Sequence, residues 1–219
     1  MQNTALFDLD GTLIPGKSTE NLFIDFLMKK GELHLIDMLR TFASFLKHIG
    51  SRDKMFFQNK AYLKGKSVER LINLAEECFI SRIDHLIPIE IRNIIQSHKK
   101  NGDLLILISG SLYFIVNIFA QSLSFDDLRG TNLEIKNGLC TGRIDGIHPR
   151  GQTKIIVLNE FVKKYNIDLP NSFAYGNSFL DRFWMEMLGN PIATNPDNKL
   201  LEYAKEKGWK VINSLKIRE

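Results

Sequence analysis

The sequence predicts an α/β fold: a doubly wound, mostly parallel sheet carrying an inserted helical cap domain. Three observations predict it. From Pro88 onward, short apolar β runs alternate with helical stretches. The run Leu104 to Ile108 is wholly apolar, as expected of a strand buried on both faces. A block of helical periodicity, roughly residues 18 to 82, separates the first β run from all the others.

Taken in order, Thr4 to Phe7 is a β run that stops at Asp8-Leu9-Asp10-Gly11-Thr12, where Gly11 permits a sharp turn, and Pro15-Gly16 ends the loop. Ser18 or Thr19 is a candidate helix cap. Leu22, Phe23, Phe26 and Leu27, then Leu35, Met38, Leu39, Phe42, Phe45 and Leu46, form an apolar stripe at helical spacing. Residues 89 to 100 read as a helix closed by Asn101-Gly102. The strand Leu104 to Ile108 follows, then Ser109-Gly110-Ser111 and a helix to about Ser122. An Asn137-Gly138 turn marks a hairpin over 133 to 144. A helix over 152 to 165 precedes a strand over 172 to 175, which ends at Gly176-Asn177-Ser178. A helix to about Leu188, a short strand near Ile192, a helix over 200 to 207 and a strand over 209 to 212 complete the chain. This gives a core of residues 1–16 and 86–219, and a helical cap of 17–85.

The chain has 219 residues, 44% hydrophobic and 25% charged, enough for one α/β domain with an insertion. A net charge of +4 is only mildly basic: it suits an anionic small-molecule substrate and gives no reason to expect nucleic acid. Cys78 and Cys140 lie far apart with no CxxC pattern, so no disulfide framework is expected. The five histidines show no zinc-binding spacing. No signal segment opens the chain and no apolar run is long enough to span a bilayer. The expectation is a cytoplasmic protein, monomer or homodimer, without membrane contact.

Ligands of doubly wound folds bind at the carboxyl ends of the strands. Polar residues stand there in an apolar background: Asp8 and Asp10, Ser109 and Gly110, and Asn177 with Asp181 shortly after. Lys154 opens the helix before that last strand end. A carboxylate can attack a phosphoryl group only when the negative charge of the phosphate is neutralised, a task for a lysine and a divalent cation. Asp10, two residues beyond Asp8, can point to the same side and serve as acid and base. Ser109 and the backbone N–H groups about Gly110 can hold phosphoryl oxygens.

These segments resemble the haloacid dehalogenase-like superfamily over nearly the whole chain. Phe7-Asp8-Leu9-Asp10-Gly11-Thr12-Leu13 is similar to its DxDGT motif. Leu105 to Gly110, Gly151-Gln152-Thr153-Lys154 and Tyr175 to Asp181 follow in the family's order. The hairpin with Cys140-Thr141-Gly142, and a helical insertion directly after the first motif, resemble the phosphoserine-phosphatase-like subfamily (subfamily IB). The resemblance implies a Rossmann-like core and a phosphatase forming an aspartyl-phosphate on Asp8, with a small phosphorylated metabolite as substrate. It implies Mg²⁺ held by Asp8, the Asp10 carbonyl and Asn177, with Ser109, Gly110 and Lys154 on the phosphate and Asp181 orienting Lys154 or a metal-bound water.

Two positions depart from the family. Asn177 stands where the family usually has Asp and brings no charge. Lys17 occupies, by spacing, the place of a Glu that receives the amine of phosphoserine, which favours an anionic leaving group; Glu20 lies nearby and can compensate. Lys60 and Lys64, with Arg52 and Lys54, read as solvated cap cations. Phe42, Phe45, Phe56 and Phe57 keep a lipid-phosphate substrate open. A phosphomutase shares the whole site, and Asn177 keeps open a non-enzymatic phosphate-ligand module.

Overall fold

The computed structural model describes residues 1–34, 36–37, 39 and 60–214. Phe42, Phe45, Phe56, Phe57, Arg52 and Lys54 therefore lie outside the described residues. Seven strands form one sheet in the order β4-β3-β2-β1-β5-β6-β7. They are β1 (Thr4–Phe7), β2 (Leu104–Leu112), β3 (Asp127–Lys136), β4 (Leu139–Asp145), β5 (Phe173–Gly176), β6 (Asn190–Thr194) and β7 (Lys210–Ile212). All neighbours are parallel except β3 and β4, which form the hairpin.

The described helices are α1 (Thr19–Lys29), α2 (Val68–Cys78), α3 (Ile89–Lys100), α4 (Tyr113–Leu123), α5 (Thr153–Tyr165), α6 (Arg182–Met185) and α7 (Asn198–Lys207). They cover both faces of the sheet, as period-two alternation along the strands requires. Ala5 and Phe7 of β1 pack with Leu105, Leu107 and Tyr175 under Ile91, Ile95, Val116 and Phe119 of α3 and α4. Leu6 faces the other way, with Ile106, Ile108 and Ala174, under Val157, Leu158 and Phe161 of α5 and Trp184 of α6. Both strand faces are buried, so the β1 and β2 runs carry no polar alternation. Cys78 and Cys140 are free and buried. Among the described residues no helix is long and apolar enough to cross a membrane.

Several boundaries differ from the expectation. Strand β2 does not stop at Ile108 but runs on to Leu112, with a register shift between those residues. Strand β3 begins at Asp127, parallel to β2, before it turns antiparallel to β4. The stretch Asp127 to Asn132 lacks the apolar alternation that marks a strand, because a neighbouring strand rather than side-chain pattern holds it. The helix expected up to Leu188 is a 3₁₀ turn at Phe179–Asp181 followed by the four residues of α6.

The described part of the helical block packs on the sheet. Phe23, Phe26 and Leu27 of α1 and Leu71, Leu74 and Ala75 of α2 belong to the same apolar cluster as Phe7 and Leu107. Ser18 and Ser67 cap the two helices by accepting from Asn21 N–H and Arg70 N–H. Residues 60 to 68 are also tied to β4 by the backbone. Lys60 N–H donates to the Gly142 carbonyl at 3.0 Å, Gly65 N–H to Cys140 at 2.8 Å, Cys140 N–H to Lys66 at 2.9 Å and Val68 N–H to Gly138 at 3.0 Å.

Gly142 allows that approach. Its φ is +87°, and a Cβ there would stand 3.1 Å from the Ala61 Cα and 3.2 Å from the Lys64 Cβ. Gly138, at φ +76°, has nothing within 4 Å of the same position. Gly138→Ala is therefore expected to cost only the left-handed backbone penalty, about 1–2 kcal/mol. Gly142→Ala carries that penalty and also requires Ala61 and Lys64 to give way by a few tenths of an ångström. Urea denaturation midpoints should fall further for Gly142→Ala; equal midpoints would show that the contact carries no strain.

Candidate active site

The carboxyl ends of β1, β2 and β5 meet the start of α5 around a cavity of about 460 Å³, within the range usual for small-molecule sites. Asp8, Asp10, Ser109, Gly110, Lys154, Asn177 and Asp181 all line it. The sequence-predicted residues, far apart along the chain, thus converge, with the exception of Lys17.

Lys154 is the centre. Its Nζ donates to Asp8 Oδ1 at 2.6 Å and to Asp181 Oδ1 at 2.7 Å, and its side chain is 4% exposed. Trp184 lies beneath it, with Nζ 5.4 Å from the ring centre, and donates its Nε1–H to Asp181 Oδ1 at 3.0 Å. The other Asp181 oxygen accepts from Ser178 N–H in a capping box, so a helix start fixes this carboxylate. Asp8 is placed by the sheet: its N–H donates to the Tyr175 carbonyl at 2.9 Å, continuing the β1–β5 ladder.

Asp10 is held by different partners. Oδ1 accepts from Thr19 N–H at 2.6 Å, the first residue of α1, where the helix dipole favours an anion. Oδ2 accepts from Ser111 Oγ, which in turn lies 2.9 Å from Thr19 Oγ1. These hydroxyls can reverse direction, so the network can accommodate Asp10 in either protonation state. Ser109 Oγ accepts from Ser111 N–H at 3.0 Å, which leaves its own proton for an incoming oxygen.

Asn177 follows β5, its carbonyl held by Asp197 N–H at 2.8 Å. Thr12 Oγ1 lies 3.2 Å from Asp8 Oδ2 and 3.5 Å from Asn177 Oδ1, so both oxygens neighbour a single hydroxyl. Gly11 makes room: a Cβ there would fall 1.9 Å from Asn177 Nδ2. Among the described residues no group of three or more His, Cys, Asp or Glu is arranged as a metal site. The oxygens beside Thr12 are one carboxylate, Asp8, and one amide, Asn177.

Lys17 is exposed and does not line the cavity, whereas Glu20 does, one helical turn further on. Its carboxylate is taken by Lys60 Nζ, 2.6 Å from each oxygen, and by the Tyr62 hydroxyl. Lys60, read from the sequence as a solvated cation, is buried. His148, Arg150 and Tyr62 were missed. No motif spacing marks them: the loop before α5 brings His148 and Arg150 to the cavity, and Tyr62 reaches it only through its hydrogen bond to Glu20.

The electrostatics are unbalanced. Burial would lower the pKa of the Lys154 ammonium, but Asp181 and Asp8 outweigh it and hold it well above the ordinary lysine value. Burial pushes the Asp8 carboxyl up to about 7 against the pull of Lys154, with Asp181 and Asp10 adding to the rise. One lysine does not neutralise the Asp8–Asp181 pair.

The family model for haloacid dehalogenase-like hydrolases matches residues 5–186. A histidinol-phosphatase of Neisseria meningitidis serogroup C is 31% identical over 97% of this chain and 99% of its own length. The phosphoserine phosphatase SerB1 of Mycobacterium tuberculosis is 28% identical over 94% of this chain and 69% of its own. The crystal structure of a protein with unknown function from Bordetella pertussis Tohama I is 25% identical, with a TM-score of 0.83 over 98% of this chain and all of that one. A phosphoserine phosphatase in apo form shares the fold, at 20% identity and a TM-score of 0.66, over 97% of this chain and 94% of its own.

The pKa of Asp8 has a consequence for stability. Between the ordinary 3.8 and about 7 the folded state binds a proton that the unfolded state does not, so stability falls as pH rises through that window. In EDTA, Asp8→Asn is expected to raise stability at pH 7.5 by about 1–3 kcal/mol, and to give a smaller gain or none at pH 5. Chemical denaturation at the two pH values checks this; a destabilised Asp8→Asn at pH 7.5 would contradict it.

Proposed function

The chain belongs to the haloacid dehalogenase-like hydrolases, and on that premise we propose that it is a Mg²⁺-dependent phosphomonoester hydrolase working through an aspartyl-phosphate. The observation that carries this reading is the buried Asp8–Lys154–Asp181 triad facing Ser109 in one cavity. Asp8 attacks phosphorus, the ester P–O bond breaks, and the leaving oxygen takes a proton from Asp10. Asp10 then takes a proton from water as that water attacks the phosphorus, and the Asp8–phosphorus bond breaks to release inorganic phosphate. Lys154 holds a phosphoryl oxygen and the nucleophile together. Ser109 donates its free hydroxyl proton to another phosphoryl oxygen, beside the backbone at Gly110. Asp181 keeps Lys154 in place and charged.

The donors fit a hard cation. Asp8 Oδ2 and Asn177 Oδ1 are both oxygens, each within 3.5 Å of the Thr12 hydroxyl, and the Asp8 carboxylate carries uncompensated negative charge. With the Asp10 carbonyl they would hold Mg²⁺, leaving room for waters. When bound, the ion supplies neutralisation of phosphate charge. Asn177 contributes an oxygen without charge, so binding is expected to be weaker than with an aspartate there.

The cavity size and the relatives named histidinol-phosphatase and phosphoserine phosphatase support a small phosphorylated metabolite as substrate. Free buried cysteines support a cytoplasmic location.

Phosphate release from an aryl phosphate should require Mg²⁺, stop in EDTA, and fall by roughly 10⁴-fold or more in Asp8→Asn. Asp10→Asn should lose about 10²–10⁴-fold. Turnover that survives EDTA or Asp8→Asn would refute the reading. Asn177→Asp should lower the Mg²⁺ concentration for half-maximal activity by about tenfold. An unchanged Mg²⁺ requirement would remove Asn177 from the metal site.

A further inference from the structure

His148 sits on the cavity wall between the phosphate end and the Glu20–Lys60 pair, and no step above uses it. Its place is fixed on all sides. The His148 carbonyl accepts from Arg150 N–H at 2.9 Å and from Thr153 Oγ1, in the turn that starts α5. Its ring lies against Gly110: a Cβ there would stand 3.2 Å from Cε1 and 3.6 Å from Nε2. Its Nδ1 is 2.7 Å from Thr131 Oγ1, a fully buried hydroxyl on β3.

The proton on that ring can be assigned. Thr131 Oγ1 is also 2.7 Å from the Gly110 carbonyl oxygen, which can only accept. The single hydroxyl proton therefore goes to Gly110, and Thr131 accepts from Nδ1–H. Burial, with Lys60 next, pushes the imidazole down to about 4, so it is neutral at physiological pH and Nε2 carries a lone pair. Among the described residues Nε2 has no partner, and no buried side-chain atom lacks one, so Nε2 is accessible, on a ring that lines the cavity and lies against Gly110. Glu20, the other acceptor on this wall, is already engaged by Lys60 and Tyr62.

We propose that His148 is a specificity-determining residue: Nε2, held as an acceptor by the Nδ1–H bond to Thr131, receives a hydrogen bond from an N–H or O–H group on the leaving alcohol. The inference rests on the phosphatase reading for its chemistry and names the substrate class, phosphomonoesters of amino or hydroxy alcohols. An alcohol with a methyl in that position leaves Nε2 desolvated and unpaired, and is selected against.

The test compares phosphoethanolamine with n-propyl phosphate, in which a methyl replaces the amine, using the Mg²⁺-loaded protein. The ratio of their kcat/KM values is taken within each variant, so a general loss of activity cancels. The wild type should favour phosphoethanolamine by about tenfold or more. His148→Leu should bring the ratio close to one, and His148→Gln, which keeps an acceptor at similar reach, should retain most of it. No preference in the wild type, or the same preference in His148→Leu, overturns the proposal.

A second readout needs no turnover. In EDTA, two-bond ¹H–¹⁵N correlations of His148 should show Nδ1 protonated and Nε2 bare at neutral pH. The Nε2 resonance should move with phosphoethanolamine and not with n-propyl phosphate. A proton on Nε2, or a resonance that neither or both esters move alike, overturns the proposal. If neither ester is hydrolysed with Mg²⁺, the aryl phosphate assay decides the phosphatase reading separately, and this measurement still decides the role of His148.

Discussion

The site depends on one buried ammonium. Lys154 Nζ joins a carboxylate at the end of β1 to one beyond the end of β5, with both acids and the lysine less than a tenth exposed. Removing charges from water costs several kcal/mol each, and a lysine stripped of both acids would be left as an unpaired buried charge. The fold covers that cost with satisfied geometry. Asp181 is capped by Ser178 and Trp184, and Asp8 by the β-ladder and Thr12. Gly176 is needed for the same reason: a Cβ there would stand 2.7 Å from the Met185 sulfur and 3.0 Å from the Asp181 Cβ. The cluster therefore links α5, α6 and two central strands into one unit.

The lysine also leaves an imbalance of charge. It serves two carboxylates, with a third, Asp10, close enough to raise Asp8 further. A positive charge beside Asp8 relieves this, and the oxygens of Asp8 and Asn177 mark where it would sit. An aspartate at 177 would add one more anion to the same buried ground. Asparagine adds no such repulsion in the free protein, and on the proposed reading it would weaken the attraction for the cation.

Much of this was legible in the sequence wherever the local pattern and the tertiary role coincide. Phe7-Asp8-Leu9-Asp10-Gly11-Thr12 is such a place: an apolar strand must end there, and Gly11 must lack a Cβ to admit Asn177. The parallel order, the helices on both faces and the Asn137-Gly138 hairpin follow from the same agreement. What could not be read was held by distant partners. Asp127 to Asn132 is polar and becomes a strand because β2 extends to Leu112 beside it. Lys17 and Glu20 are three residues apart, and only the register of α1, set by Ser18 and by Asp10 on Thr19 N–H, turns Glu20 inward. Lys60 looked like a solvated cation because its partner is forty positions away.

The leaving-group side of the cavity belongs as much to the sheet edge as to the helical insertion. Thr131 of β3 sets the proton on His148, and Gly142 of β4 receives Lys60 N–H, which places the Lys60 ammonium on Glu20. The wall that would contact a leaving group is thus registered to the hairpin by backbone hydrogen bonds. Any movement of residues 60 to 68 must either carry the hairpin with it or break four of those bonds. The opposite end of the cavity is held by β1, β2, β5 and Lys154. The two halves of the cavity meet at the Gly110 segment, which touches the His148 ring beside Ser109, at the start of α1, where Thr19 N–H holds Asp10 next to Glu20, and at the turn into α5, where the His148 carbonyl accepts from Thr153 Oγ1 beside Lys154, so a substitution at the hairpin acts on the atoms around phosphorus only through these three joints.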